Sequence, residues 1–266
     1  MLHVNVREVL EQKAKGRHVP DFVVRYLERI VHQDEMNEFL RTYGEETDYN
    51  FLRDYIHVGL QCDAEIKGIE NLPATSDPVL FVSNHPLGGL DGMIIALMLH
   101  DHGRDAKVIV NDILMYLTPI ANLFVPVNKV GSQSRQYAER MRQMWESGTD
   151  VLSFPAGACS RKQKGGIRDL EWKKSFIRNA VQYRRNIVPL RFEGENSRFF
   201  YNLAWWRKLL GIKLNIEMLY LADEMYKAKG KHFIVHVGKP IPYTTFDNSR
   251  TPQEWAEYVK QITYSL

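Results

Sequence analysis

Apolar positions in the first sixty residues recur every three to four places. Val6, Val9 and Leu10 share one helical face, and Phe22, Val23, Tyr26, Leu27 and Ile30 share another, after Pro20-Asp21, a pair suited to starting a helix. Residues 35–43 and 48–60 repeat the pattern on either side of Gly44. Near Asp63 the rhythm changes. Residues 64–69 alternate like a half-exposed strand, and 71–78 form a turn-rich stretch. From there short apolar runs at 79–83, 107–111, 124–127, 149–154, 187–192, 214–218 and 232–237 predict strands. Helical patterns at 92–99, 113–121, 132–147, 171–183 and 252–264 alternate with them. Continuous apolar strands interleaved with helices predict an α/β fold, a mixed and largely parallel sheet flanked by helices. An N-terminal helical region, 1–62, is expected to pack as a cap on an α/β domain, 63–266.

Composition narrows the class without naming a chemistry. Hydrophobic residues at 44% and charged ones at 25% of 266 are ordinary for a folded domain and exclude wholesale disorder. A net charge of +3 points neither to nor away from nucleic acid, and the cations cluster beside a candidate site instead of along one helix, so no nucleic-acid partner is expected. Cys62 and Cys159 are too few for a disulfide framework, and no Cys/His cluster predicts a metal. The start has no signal-peptide pattern, and no run reaches the roughly 18 apolar residues that span a bilayer. The expectation is a cytoplasmic chain that touches a membrane from its inner face without crossing it.

Three stretches carry candidate chemistry. Residues 79–92 read as a buried strand running into Asn84-His85-Pro86, then a glycine turn, Asp91 and an apolar helix. A carboxylate beside a histidine fixes its tautomer and raises its basicity, so His85 and Asp91 suit proton abstraction from a hydroxyl or amine. On spacing alone, a histidine that merely braces a turn fits as well. The second stretch, Ser153 to Arg161, ends a strand in small residues whose backbone a ligand can approach. Arg161, Lys162, Lys164, Arg168, Lys173 and Lys174 follow. That concentration suits a phosphate-bearing ligand or a solvated basic loop; Cys159, with no partner base, reads as inert. The third, residues 201–214, mixes Trp205, Trp206, Arg207 and Lys208 with leucines, as an interfacial segment or a core helix with exposed cations would.

Taken together, these blocks resemble the glycerolipid acyltransferase family that includes lysophosphatidic acid acyltransferases. Asn84, His85 and Asp91 match its Asn-His-spacer-Asp block. Phe124-Val125-Pro126-Val127-Asn128-Lys129 matches a strand ending in a basic residue. Phe154-Pro155-Ala156-Gly157-Ala158-Cys159-Ser160 matches its Phe-Pro-Glu-Gly-Thr-Arg-Ser, and Ile187-Val188-Pro189-Leu190 its proline-containing strand. Four blocks stand in the family's order over residues 64–242. The spacer is five residues, not four. Lys129 replaces Arg, exchanging a bidentate fork for a point charge, while Ala156 replaces Glu and Cys159 replaces Arg at positions that help bind the phosphate-bearing acceptor in typical members. The longer spacer with Phe-Pro-Ala-Gly also resembles a hemolysin-like branch linked to acylation of amino-acid-containing lipids.

The resemblance implies transfer of a fatty acyl group from an acyl thioester, on coenzyme A or acyl carrier protein, to a lysolipid hydroxyl, with no cofactor. The acceptor would be lysophosphatidate or an N-acylated amino-acid lipid. His85 would be the general base, oriented by Asp91, and Asn84, Lys129, Phe154, Pro155, Gly157, Ser160 and Arg161 would contact substrate, with backbone N–H groups around Gly157 as candidate oxyanion donors. Two other readings stay open: an inactive lipid-binding relative, in which His85 and Asp91 would lie out of hydrogen-bond reach, and a thioester hydrolase using the same pair.

Overall fold

The computed structural model describes residues 3–13, 18–74, 77–111, 118–127 and 134–266. Helices α1 (Val6–Lys13), α2 (Asp21–Ile30), α3 (Gln33–Tyr43) and α4 (Asp48–Asp54) precede a π-helical turn, Tyr55–Gly59. The sheet strands are β1 (Asp63–Lys67), β2 (Leu80–Ser83), β3 (Ala106–Asn111), β4 (Phe124–Val127), β5 (Asp150–Ser153), β8 (Ile187–Glu193) and β9 (His232–Val237); β6 (Arg161–Gln163) and β7 (Gly166–Arg168) form a separate hairpin. Between them lie α5 (Leu90–Asp101), α6 (Ser134–Glu146), α7 (Ser175–Gln182), α8 (Arg198–Leu209), α9 (Leu221–Lys227) and α10 (Pro252–Ser265).

The seven strands stand in the order β1-β9-β8-β2-β5-β3-β4, with every neighbour parallel except β8 and β9. This is the mixed, largely parallel sheet expected from the strand pattern. Leu80 of the central strand lies opposite Val151 on one side and Ile187 on the other. All four β2 residues are buried because both faces of the sheet are covered. Successive side chains point to opposite faces. Phe81 joins a core with α5 and with Leu40, Phe51, Leu52 and Ile56 of the N-terminal helices, whereas Leu80 and Val82 join Trp145, Trp172, Phe176 and Trp255 on the other face. Leu90 to Leu99 of α5 are buried without interruption, which explains its lack of a polar stripe: it lies between the sheet and the N-terminal helices.

Several local expectations change. Residues 214–218 are not a strand: a 3-10 helix runs over Ile216–Tyr220, with Glu217 buried while Leu214 and Leu219 face out, the reverse of what the apolar alternation implies. The basic stretch after Ser160 is the β6–β7 hairpin, closed at Lys164-Gly165, where Gly165 has φ +94° and Gly166 φ +127°. α7 begins at Ser175, and the preceding Trp172 is fully buried in the core. The helix expected at 113–121 falls partly on residues outside those described, and its end is a 3-10 turn, Thr118–Leu123.

At the edge opposite the carboxyl ends of β2 and β5, Asp150 accepts the Val79 N–H at 2.8 Å and Arg104 Nε and Nη2 at 2.7 and 2.9 Å, all largely buried. Removing one member of such a pair leaves the other charge poorly compensated. Asp150→Ala is therefore expected to lower unfolding free energy by about 3 kcal/mol, read as a fall in the urea midpoint.

Candidate active site

The site is built at the carboxyl end of β2, between β5 and β8, the edge where parallel sheets of this class bind ligands. β2 ends at Ser83, and Asn84 follows. Its side-chain amide donates to Phe192 O at 2.9 Å and accepts Phe192 N–H at 2.7 Å, tying β2 to β8. With the side chain buried and paired in both directions, Asn84 positions the loop. The backbone of His85 is then held on both sides. Its N–H donates to Asp169 Oδ1 at 3.1 Å, and its carbonyl accepts Ser160 N–H at 2.7 Å.

The His85 ring meets Asp91 Oδ2 through Nδ1 at 3.0 Å. Asp91 is in the first turn of α5 and is fully buried; it also accepts backbone N–H groups of Leu87 (3.0 Å), Gly88 (3.4 Å), Gly89 (3.1 Å) and Gly92 (2.9 Å). The five-residue spacer is thus wrapped around the carboxylate that closes it. Gly88, at φ +79°, takes the backbone through the left-handed turn, with Leu221 and Cys159 packed where a side chain would stand. Burial pushes the Asp91 carboxyl up, but the charge and hydrogen bond of His85 and the N–H groups of Leu87 and Gly92 outweigh it and hold it below the usual carboxylate range. Burial also disfavours a charged His85. The Asp91 charge and hydrogen bond, aided by Asp169 and opposed by Arg161, more than compensate, so His85 titrates above the ordinary histidine value. An ionised Asp91 requires the proton on Nδ1, which leaves Nε2 as the basic nitrogen of the neutral ring.

The turn after β5 wraps the other side of the histidine. The Phe154 ring stacks on His85 at 4.2 Å between centroids. Pro155 O accepts Lys173 N–H at 3.0 Å, and Gly157, at φ +65°, donates its own N–H to Phe154 O at 2.9 Å. An oxyanion donor in this turn therefore has to be another N–H than that of Gly157. Ser160 is buried and donates its hydroxyl to Asp169 Oδ1 at 2.6 Å, so it braces the turn. Arg161 points inward as well. Its Nη2 donates to buried Glu217 Oε1 at 2.9 Å, and Nη1 to Cys159 O and Sγ at 2.7 and 2.8 Å. Cys159 is fully buried; burial pushes its thiol up, Arg161 notwithstanding, and keeps it from nucleophilic use.

Lys129 lies outside the described residues. Trp205 and Trp206 are 49% and 53% exposed on α8, and Lys208 is exposed with them. Arg207 is not: its side chain turns in, Nε lying 2.8 Å from Glu217 Oε2 as an ion pair without hydrogen-bond alignment, while Nη1 donates to Ile212 O at 2.9 Å. The pattern of residues missed Asp169, which also accepts Trp172 Nε1–H at 2.8 Å, and Glu217, which bridges two arginines. Among the described residues, no group of three or more His, Cys, Asp or Glu is arranged to hold a metal, and no helix is long and apolar enough to cross a membrane.

Residues 8–266 match a protein family described as acyltransferase. The chain is 47% identical over 266 residues to the lyso-glycine lipid O-acyltransferase of Phocaeicola vulgatus, covering 99% of this chain and 95% of that one. It is 50% identical over 267 residues to the lyso-glycine lipid O-acyltransferase of Bacteroides thetaiotaomicron, covering 99% and 97%. The crystal structure of the 1-acyl-sn-glycerophosphate (LPA) acyltransferase PlsC from Thermotoga maritima superposes with a TM-score of 0.49 and 17% identity, over 82% of this chain and 76% of that one.

His85→Ala is expected to fold normally and to lose about 10²- to 10⁴-fold in turnover, the usual contribution of a general base. In the wild type, kcat/KM should fall as pH drops through the raised His85 value, placing the acid limb above about 6.5. Asp91→Asn removes the main group holding that value up, so its acid limb should move to lower pH while the plateau rate falls. A pH–rate profile of the two proteins checks both.

Proposed function

The chain belongs to this acyltransferase family and is an enzyme that transfers acyl groups; on that footing we propose that it moves a fatty acyl group from an acyl thioester to a lysolipid hydroxyl, with His85 as the base. The observation that carries the reading is the 3.0 Å contact between His85 Nδ1 and a carboxylate held by three loop N–H groups and that of Gly92 in α5. Nε2 removes the hydroxyl proton as the oxygen attacks the thioester carbonyl. Asp91 stabilises the imidazolium that forms. Collapse of the tetrahedral intermediate breaks the carbon–sulfur bond, and the departing thiolate takes the proton back from His85. Direct attack needs no enzyme nucleophile, which agrees with the buried state of Cys159. A catalytically inactive relative would have no need of a histidine and carboxylate kept in hydrogen-bond reach.

For the acceptor we propose an N-acylated glycine lipid carrying a hydroxyl, not lysophosphatidate. The relatives' names support this, and so does the turn itself. Ala156 and Cys159 are neutral and buried, and Arg161 faces Glu217, so this turn lacks the charges that would match a phosphate dianion. Either coenzyme A or acyl carrier protein serves as donor in this scheme. Access to such lipids requires a membrane surface. The exposed Phe199, Trp205, Trp206, Leu209, Leu210 and Leu214, with Lys208 and Lys213 beside them, suit one that carries anionic headgroups. We place the chain at the inner, cytoplasmic face on this basis.

Incubation with labelled acyl-CoA or acyl carrier protein and a panel of N-(hydroxyacyl)glycine and lysophosphatidate acceptors, with products identified by mass, tests the reaction. The expected product is the O-acylated glycine lipid; thioester loss without any lipid product would establish a hydrolase instead. Replacing Trp205, Trp206 and Lys208 together by serine should reduce co-sedimentation with anionic vesicles several-fold and leave the thermal midpoint within a few degrees. Unchanged sedimentation would remove the membrane assignment.

A further inference from the structure

An N-acylated glycine keeps its carboxylate, a planar monoanion that an active site has to meet with a donor. In the turn around His85, Ser160 is held by Asp169 and Arg161 by Glu217, and positions 156 and 159 carry no charge. Lys173 lies against the exposed Gly157 of that turn. A Cβ built on Gly157 would stand 2.5 Å from Lys173 Nζ, so the absence of a side chain at 157 lets the ammonium lie over the backbone beside the Phe154 ring's own turn. The lysine's main chain is fixed on both sides. Its N–H donates to Pro155 O at 3.0 Å, and the neighbouring Trp172, fully buried, donates Nε1–H to Asp169 Oδ2 at 2.8 Å. Asp169 also holds the His85 backbone. The residue before Lys173 and the backbone of His85 thus share one buried carboxylate.

We propose that Lys173 is a specificity-determining residue that receives the acceptor's carboxylate at the Gly157 face of the turn; the proposal rests on the glycine-lipid acceptor reading above. An ammonium has three donors and can take a carboxylate oxygen while keeping a protein partner. One point charge matches a monoanion. A phosphate dianion would call for a second cation, and the turn's arginine is already engaged by Glu217. The preference for a carboxylate over a phosphate then follows from which cation of the turn faces out.

The experiment compares the full chain with its Lys173→Met and Lys173→Arg variants on an N-(hydroxyacyl)glycine, on the primary amide of the same compound and on lysophosphatidate. For the acid, Lys173→Met should raise KM roughly ten- to a hundredfold, the loss of a hydrogen bond to a charged group, with kcat changed much less. KM for the amide should move far less, so the wild type's preference for acid over amide collapses, and Lys173→Arg should restore part of it. An equal loss on acid and amide, or an unmoved KM for the acid, overturns the proposal. Wild-type turnover of lysophosphatidate with neither glycine compound used overturns the acceptor reading, and the Lys173 proposal with it.

Discussion

The buried carboxylate of Asp91 is the constraint on which the site depends. A bare charge away from water is costly, and here five donors surround it: the imidazole Nδ1–H, three loop N–H groups and the Gly92 N–H of α5. The same group closes the loop, accepts the Gly92 N–H in the first turn of α5, sets the histidine tautomer and raises its basicity. The loop's length is therefore secondary. Five residues between His85 and Asp91 serve as long as their N–H groups can turn toward one carboxylate, which Gly88 allows.

Asp169 does for the backbone what Asp91 does for the ring. It reaches the His85 N–H, the Ser160 hydroxyl and the Trp172 indole from the far end of the hairpin, and so ties the segment around 160–172 to the distant loop after β2. Burial pushes its carboxyl up while those three donors resist the shift. Two carboxylates bracket one histidine, and neither is exposed to solvent.

The pair at 85 and 91 was legible because the contact is local: one strand, one turn and one helix start, six residues apart, with glycine where the turn needs it. The sheet was legible for a similar reason, since strands covered on both faces must be continuously apolar. Long-range polar contacts were not. Nothing near Asp169 in the chain shows that it will meet a backbone N–H 84 positions away. Leu214, Ile216 and Met218 alternate like a strand, yet the residue that turns inward is Glu217, drawn by Arg161 and Arg207. The Trp-Trp-Arg-Lys run shows an amphipathic belt without showing which cation faces out, because an inward arginine needs a partner that periodicity does not reveal. The family motifs located the turn at 154–160, and Ser160 and Arg161 stood out there as candidate substrate contacts; their bonds to the internal carboxylates Asp169 and Glu217 had no sign in the sequence.

The helix α5 has no solvent face, and this bears on how such a protein can diversify. Its first turn carries the carboxylate, its sides are packed under the N-terminal helices and over the sheet, and any displacement would have to repack both layers. The reacting geometry is therefore assembled at rest and is insulated from whatever lipid arrives. The residues we propose to meet the incoming headgroup belong to a different part of the chain, the turn after β5 and the segment leading into α7. On the acceptor reading proposed above, the exposed Gly157 and Lys173 lie on a different piece of backbone from Asp91, so the choice of acceptor can change at those two positions while the carboxylate stays locked in the core.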